Sequence, residues 1–249
     1  MTATRQAVSA TQEALARATV YQALAHAFHH PAPQRRRRAE PLPGVRAALQ
    51  VLRLSGEVAE ALAGAEGRLS SLTPRALAAE HVALFSHGRE GQGLPYEADF
   101  TAVSVFQKSQ EMADVAGFYR AFGLAWENGQ ERPDHLSLEA EFMYFLALKE
   151  AYALSQDRPD DAAICRDAQR SFLRDHPGRW LPAFRRALES EAPASPYATL
   201  ARFAEAYVRA DCRLLRVRPR PVRARTTVAA EPDLDCNGCP MASDGENDA

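Results

Sequence analysis

The sequence predicts an all-α protein, a single helical bundle followed by a C-terminal tail. Apolar residues recur at the three- and four-residue spacing of a helix face in several long segments. Prolines and glycines separate these segments and mark helix ends. No convincing alternation of apolar and polar residues, as in a strand, and no internal repeat occurs along the chain. We expect about eight or nine helices, forming one domain over residues 1–217.

The bulk composition excludes several classes of protein. A formal net charge of -2 gives no global reason to bind nucleic acid or an anionic membrane. No apolar run approaches the roughly 20 residues that a membrane-spanning helix needs, so we expect no stable membrane insertion. Residues 1–10 are polar and lack the apolar core of a secretory signal, which predicts a cytoplasmic protein. The four cysteines do not make a disulfide framework in a chain of this length.

The N-terminal part is predicted to contain three helices. Thr73 is a good N-cap and Pro74 suits the first helical position, so the third helix has a well-defined start. The basic run Arg35–Arg38 lies between the first two helices. It is predicted to be a solvated loop, with binding to nucleic acid or an acidic partner as the alternative. The predicted bounds of the three helices are 11–30, 45–62 and 73–85.

A glycine-rich stretch follows the third helix and predicts a loop. The loop ends in an aromatic ring and two carboxylates, Tyr96, Glu97 and Asp99. We interpret Tyr96 first as a ring that packs over a helix end and Glu97 as the cap of the following helix. The alternative is that these side chains on a loop edge form a recognition surface. The following helix is expected over residues 101–122, with Val105 on its core face and Gly123 ending it.

The central segment Pro133–Leu146 predicts the start of a deeply buried helix. Asp134 is placed to cap its N-terminus, and Glu139 and Glu141 follow where negative charge suits the positive helix end. Apolar residues cover more than one side of the next turns, which predicts burial between neighbouring helices. His135 is interpreted first as a helix-start residue hydrogen-bonded to nearby backbone, with a functional role as the alternative.

The C-terminal part is predicted to hold three further helices and a flexible tail over residues 218–249. The tail is rich in proline, arginine and small polar residues, which cannot bury a core. Cys236 and Cys239 form a Cys-x-x-Cys pair there, and half of a metal site, a redox pair and an incidental pair all remain open. Cys165 and Cys212 are expected to be buried small residues. The predicted helices span residues 161–173, 180–188 and 197–215.

The sequence contains no catalytic constellation. It has no Gly-x-Ser-x-Gly elbow, no His-Glu-x-x-His pair and no dinucleotide fingerprint. A di-iron site in a helical bundle needs Glu-x-x-His pairs, which the central helix lacks. We therefore expect no enzymatic activity and no resident cofactor. The alternative is a helical metal- or redox-active protein that uses Cys236 and Cys239.

Three separated motifs occur in order along the chain. They are Glu80 and Leu84-Phe85 with Leu94-Pro95-Tyr96-Glu97; Pro133-Asp134-His135-Leu136 with Glu139, Glu141, Phe142 and Met143; and Phe172-Leu173, His176, Trp180-Leu181-Pro182 and Phe184. Together the motifs resemble the TorD/DmsD/NarJ family, whose members are all-helical, non-enzymatic cytoplasmic chaperones dedicated to molybdoenzymes.

This resemblance implies a partner and a site. The implied partner is the apo catalytic subunit of a molybdoenzyme of the dimethyl sulfoxide reductase type, bound through its N-terminal, twin-arginine signal peptide. The implied role is to assist cofactor insertion and assembly before export. The resemblance leaves open whether the protein is a monomer or a homodimer. By resemblance, the peptide-binding residues are Tyr96, Glu97, Pro133, Asp134, His135 and Glu141.

Overall fold

The computed structural model describes residues 2–29, 42–85, 94–125 and 131–222. Within these ranges the chain forms ten helices and no strand, so the all-α prediction is confirmed. The helices are α1 (Thr2–Phe28), α2 (Val45–Val51), α3 (Glu57–Ser70), α4 (Pro74–Phe85), α5 (Ala98–Thr101), α6 (Val105–Ala121), α7 (Leu136–Ser155), α8 (Pro159–Asp175), α9 (Pro177–Glu191) and α10 (Pro196–Leu214).

Two helices organise the bundle. α7 packs along α1 and also along α8, whereas α10 packs against α3 and α9. Aromatic side chains fill the space between these helices, where large rings bury much apolar area. None of the helices in the described ranges is long and apolar enough to cross a bilayer. The fully buried aromatic residues are Tyr21, Phe28, Phe172, Trp180, Phe184, Tyr197, Phe203 and Tyr207.

The central helix α7 is buried on more than one side, as its sequence predicts. Phe142 packs against the rings of Tyr119 and Phe172, which come from α6 and α8. Met143 and Leu146 are also fully buried. Because α7 contacts α1 and α8 along most of its length, only a narrow strip of it remains at the surface.

Helix boundaries in the first half follow local sequence signals, with one exception. Thr73 caps α4 as predicted, because its hydroxyl accepts a hydrogen bond from the N–H of Ala76 at 3.1 Å. The single helix predicted over residues 45–62 is wrong, since the structure has two helices there. Arg53 (φ +54°) and Gly56 (φ +61°) adopt left-handed conformations between them, which a continuous right-handed helix excludes.

The helix predicted over residues 101–122 is also interrupted. α5 is a separate short helix, and α6 starts at Val105 after Ser104, whose hydroxyl accepts the N–H of Gln107. Val105 was expected on the core face but is 80% exposed, because the new start turns it towards solvent. Gly123 follows the helix with φ of +76°, the left-handed conformation common just beyond a helix end.

A buried ionic cluster joins four helices and was not predicted. Arg17 of α1 donates two hydrogen bonds to Asp211 of α10, at 2.6 and 3.0 Å, and a third to Glu150 of α7 at 3.3 Å. Tyr21 also donates to Asp211, and Gln169 of α8 donates to Glu150, each at 2.7 Å. Since these carboxylates are fully buried, their hydrogen bonds fix the relative positions of the four helices.

The first residues of the predicted tail lie against α9. The N–H of Val222 donates to the carbonyl of Arg179 at 3.0 Å. Pro219 lies so close to Gly178 that a Cβ atom at this glycine would be 2.5 Å from the Pro219 Cγ. Residues 223–249 lie outside the described part of the chain.

Candidate functional site

The two segments that carry most of the predicted site residues lie side by side. Tyr96 and His135 form an isolated antiparallel bridge. The N–H of Glu97 donates to the carbonyl of Asp134 at 2.9 Å, and the N–H of Leu136 donates to the carbonyl of Pro95 at 2.8 Å. These bonds hold the end of the glycine-rich loop against the start of α7.

Tyr96 lies at the edge of this paired structure. Its hydroxyl donates to Glu131 at 2.8 Å, its ring packs edge-on against His135, and the guanidinium of Arg132 lies 4.2 Å from its ring centroid. Burial, and then the hydrogen bond to Glu131, raise the pKa of the Tyr96 hydroxyl above its usual range. The ring is thus a structural contact between the loop and the segment that precedes α7.

Asp134 has a different role from the predicted one. It does not cap α7; instead its carboxylate accepts the N–H of Ala98, the first residue of α5, at 3.0 Å. The same carboxylate pairs bidentately with Arg132, at 3.0 and 2.7 Å. The capping prediction for Asp134 is wrong because it considered only neighbours in sequence, whereas the fully buried carboxylate faces a helix 36 residues away.

His135 is the residue that caps α7. Its Nδ1 accepts the N–H of Ser137 at 3.1 Å, which confirms its interpretation as a helix-start residue bonded to nearby backbone. Burial lowers the pKa of His135 to about 4, so the ring is neutral at physiological pH. A neutral ring with an accepting Nδ1 carries its proton on Nε2.

Glu97 connects the loop to the bundle core. Glu97 occupies the N-cap position of α5, but its side chain makes no capping hydrogen bond, so it does not cap the helix as predicted. The predicted packing of Tyr96 over a helix end is confirmed, because its ring lies against His135 at the start of α7. The buried Glu97 carboxylate instead lies 2.8 Å from Nδ1 of His176, at the junction of α8 and α9. The adjacent Glu139 accepts the indole N–H of Trp180 at 3.0 Å. Burial and the nearby Glu97 carboxylate raise the pKa of Glu139 well above its usual range.

Burial divides the predicted site into two groups. Tyr96, Glu97, Asp134 and His135 are all less than a tenth exposed, and Pro133 is also buried. Glu141, one turn into α7, is exposed. The five buried residues therefore support the start of α7 from the interior of the protein. Glu141 is the one predicted site residue at the surface.

Glu141 stands on the wall of a cleft of about 260 Å³. The cleft opens between the end of α6 and the outer side of α7, and aromatic rings form much of its wall. The hydroxyl of Tyr119, one of these rings, donates to the carbonyl of Pro133 at 2.8 Å, which couples the cleft to the buried network. The lining residues are Tyr119, Leu124, Ala125, Leu138, Glu141, Phe142, Tyr144 and Phe145.

The cleft has the chemistry of a site for an apolar chain segment that carries a positive charge. Aromatic and aliphatic side chains bind apolar groups, and a carboxylate at the rim pairs with arginine or lysine. Sequence reasoning identified Glu141 and predicted burial of the apolar residues of α7. Phe142 is buried as expected, whereas Phe145 is only partly buried and lines the cleft. The spacing of apolar residues gives no sign of which side of a helix is left uncovered.

The predicted metal ligands and the arginine run fall outside the described residues. Cys236, Cys239 and the run Arg35–Arg38 all lie there, so a metal at the cysteine pair stays a prediction. Within the described ranges, no group of three or more His, Cys, Asp or Glu side chains is placed to hold a metal ion. Cys165 and Cys212 are free and buried, as expected, and burial raises the pKa of the Cys212 thiol to about 12.

An all-helical body that bears an apolar cleft with a carboxylate rim is typical of a module that binds a segment of another protein. Comparison with known sequences identifies the family. Residues 52–186, more than half of the chain, match the family described as nitrate reductase delta subunit. The chain therefore belongs to this family, the TorD/NarJ family of redox enzyme maturation chaperones, and the resemblance found in the sequence is confirmed.

Curated relatives agree with this assignment. The chain is 37% identical over 144 residues to the selenate reductase assembly chaperone protein of Thauera selenatis, covering 51% of this chain and 69% of that one. It is 34% identical over 118 residues to the perchlorate reductase assembly chaperone protein of Dechloromonas aromatica, covering 46% and 52%. It is 28% identical over 138 residues to the chaperone protein TorD of Vibrio cholerae, covering 54% and 60%.

These alignments span from about half to just over two thirds of the relatives' own lengths. A crystal structure from Archaeoglobus fulgidus, assigned to redox enzyme maturation, is 21% identical with a TM-score of 0.45. That comparison covers 77% of this chain and 93% of the other.

Proposed function

We propose that this protein is an assembly chaperone for the catalytic subunit of a molybdoenzyme of the dimethyl sulfoxide reductase type. It binds the N-terminal, twin-arginine signal region of the apo subunit and holds that subunit competent for cofactor insertion before export. Membership of the family and relatives that are named assembly chaperones of selenate and perchlorate reductases support this role. Since the role precedes export, the protein acts in the cytoplasm.

The observation that carries the proposal is the position of Glu141 on the wall of the aromatic cleft. A signal region presents arginines followed by an apolar stretch. The Glu141 carboxylate pairs with an arginine of this region, and the rings of Tyr144 and Phe145 contact the apolar residues that follow. This mode of binding needs no catalytic group and no resident cofactor, so the protein acts as a binding partner and not as an enzyme.

The buried site residues act through the shape of the cleft. Tyr96, Glu97, Pro133, Asp134 and His135 hold the loop end against the start of α7, and the Pro133 carbonyl fixes Tyr119 in the cleft wall. They are positioning residues, and their replacement weakens peptide binding by disordering the wall. This explains how residues with almost no exposed surface can belong to a peptide-binding region.

The test is fluorescence anisotropy with a labelled peptide that contains two arginines followed by the apolar stretch of a molybdoenzyme signal region. Glu141→Gln removes the charge and keeps the shape, and we expect affinity to fall about three- to tenfold. Phe145→Ala removes part of the apolar wall and weakens binding by a similar or larger factor. Glu60→Gln, an exposed carboxylate on α3, is the matched control and leaves affinity unchanged.

A second peptide, with both arginines replaced by glutamine, separates the two contributions. It binds wild type and Glu141→Gln equally if Glu141 recognises an arginine. Equal affinity of wild type, Glu141→Gln and Phe145→Ala for the twin-arginine peptide would show that the peptide binds elsewhere on the protein.

A further inference from the structure

The surface strip of α7 continues beyond the cleft. Leu138, Glu141 and Phe145 line the cleft, and Leu148 and Tyr152 extend the strip along the helix with 40% and 61% of their surfaces exposed. The spacing of these five residues alternates between three and four. This is the spacing with which one helix packs along another, maintained over two heptads and roughly 21 Å of helix.

Two pairs of side chains on this face of α7 are placed symmetrically about Phe145. Leu138 and Tyr152 lie seven residues before and after Phe145, and Glu141 and Lys149 lie four residues before and after it. In an antiparallel pair of α7 helices with the twofold axis at Phe145, Leu138 of each copy lies against Tyr152 of the other. The same packing places each Glu141 against Lys149 of the second copy, so that two ion pairs form at once.

The charges of the strip are available for such pairing. Within the part of the chain that the structure describes, neither Glu141 nor Lys149 takes part in an ion pair. The ammonium of Lys149 lies 5.2 Å from the ring centroid of Phe145, so the charge is held over the centre of the strip. By contrast, Glu150 on the inner side of the same helix is already paired with Arg17 and Arg166.

We propose that the α7 strip is a homodimer interface in which two copies pack antiparallel about Phe145. The self-complementary order of apolar and charged residues favours a second copy over an unrelated partner. Because Leu138, Glu141 and Phe145 belong to both the strip and the cleft, the dimer covers the cleft of each copy. Dimerisation and binding of the client peptide at the proposed site therefore exclude each other.

This inference rests on the proposed function only where it states that the client peptide and the second copy compete for the cleft. The dimer is expected to be weak and concentration-dependent, since a single pair of helices forms a small interface. It keeps the apolar cleft covered when no client is present, and the client peptide dissociates it. A covered cleft also limits nonspecific binding of other apolar segments.

The test is a charge-swap cycle followed by sedimentation velocity over a range of protein concentrations. Glu141→Lys and Lys149→Glu each replace two attractive pairs by two repulsive ones, and each raises the dimer dissociation constant about tenfold or more. The double variant restores both pairs in reversed order and returns the constant to within about threefold of wild type. Glu60→Lys, on α3, is the control and dimerises as wild type does.

Three outcomes overturn the inference: a monomeric wild type at all concentrations, single variants that dimerise normally, or a double variant that stays as weak as the singles. Circular dichroism checks that each variant is folded.

The anisotropy assay separates this inference from the proposed function. Lys149→Glu leaves the cleft lining intact, so its monomer binds the twin-arginine peptide at least as tightly as wild type. If the peptide binds as proposed but the charge-swap cycle fails, the dimer alone is rejected. If the charge-swap cycle succeeds but the cleft variants bind the peptide normally, the proposed peptide site alone is rejected.

Discussion

Replacement of Asp134 by alanine tests whether the buried network supports the cleft. The Asp134 carboxylate is fully buried and accepts hydrogen bonds from the Arg132 guanidinium and from the N–H of Ala98. Asp134→Ala removes these acceptors at once. The start of α5 then loses its cap, and Arg132, next to Tyr96, keeps only its longer contact with the Asp99 carboxylate, at 3.4 Å.

The loss of stability expected for Asp134→Ala depends on how exposed its former partner Arg132 is. Breaking a fully buried ion pair costs about 3–5 kcal/mol. The Arg132 side chain is 29% exposed and can be rehydrated in part, so we expect a loss of about 2–3 kcal/mol in the free energy of unfolding. For a chain of this size, that loss lowers the melting temperature by about 4–12 °C.

The assay combines urea unfolding, followed by circular dichroism, with peptide anisotropy at a temperature where the variant stays folded. Asp134→Asn keeps an acceptor oxygen and loses only the charge, so it should show about half the loss of stability. Asp114→Ala on the exposed side of α6 is the control, with an effect within about 0.5 kcal/mol. An Asp134→Ala variant with unchanged stability and unchanged peptide affinity would refute the reasoning.

Three further predictions concern other parts of the chain. Asp211→Ala removes the two shorter hydrogen bonds of the buried Arg17 guanidinium and leaves it only the 3.3 Å contact with Glu150, so it should lower the free energy of unfolding by about 3–5 kcal/mol in urea titrations. Burial raises the folded-state pKa of Glu139, so as pH rises above the ordinary carboxyl pKa the unfolded chain releases a proton that the folded chain still holds, and stability falls. Glu139→Gln removes this loss, and its stability relative to wild type should increase between pH 5 and pH 8, as read from urea midpoints. Replacing both Cys236 and Cys239 by serine should leave peptide affinity unchanged, and elemental analysis of the two proteins shows whether wild type holds metal that the variant lacks.

The parts of the fold that sequence predicted are those set by local chemistry. The cap at Thr73, the left-handed Gly123 and the burial of α7 each depend on residues within a turn or two. The break between α2 and α3 was missed because Arg53, a residue with no turn propensity of its own, adopts a left-handed conformation there.

The parts that were missed depend on residues far apart in sequence. Arg17 and Asp211 are separated by 194 positions, and only packing of α1 against α10 brings them together. Asp134 was assigned to the nearer helix end, whereas it caps α5 across the fold. Glu141 was identified through a family motif, but the aromatic cleft beside it depends on how α6 ends against α7.

The central claim is that the cleft binds the signal region of the client subunit. Site-specific photo-crosslinking tests it most directly, with a photoreactive amino acid placed at Tyr144 in the cleft wall or at Glu60 on α3 as the control. The two proteins are irradiated in cells that produce a molybdoenzyme catalytic subunit, and crosslinked peptides are identified by mass spectrometry. The account predicts a crosslink from position 144 to the N-terminal signal region of that subunit, and none from position 60. A client that copurifies with the protein but crosslinks to neither position, or to both equally, would contradict it.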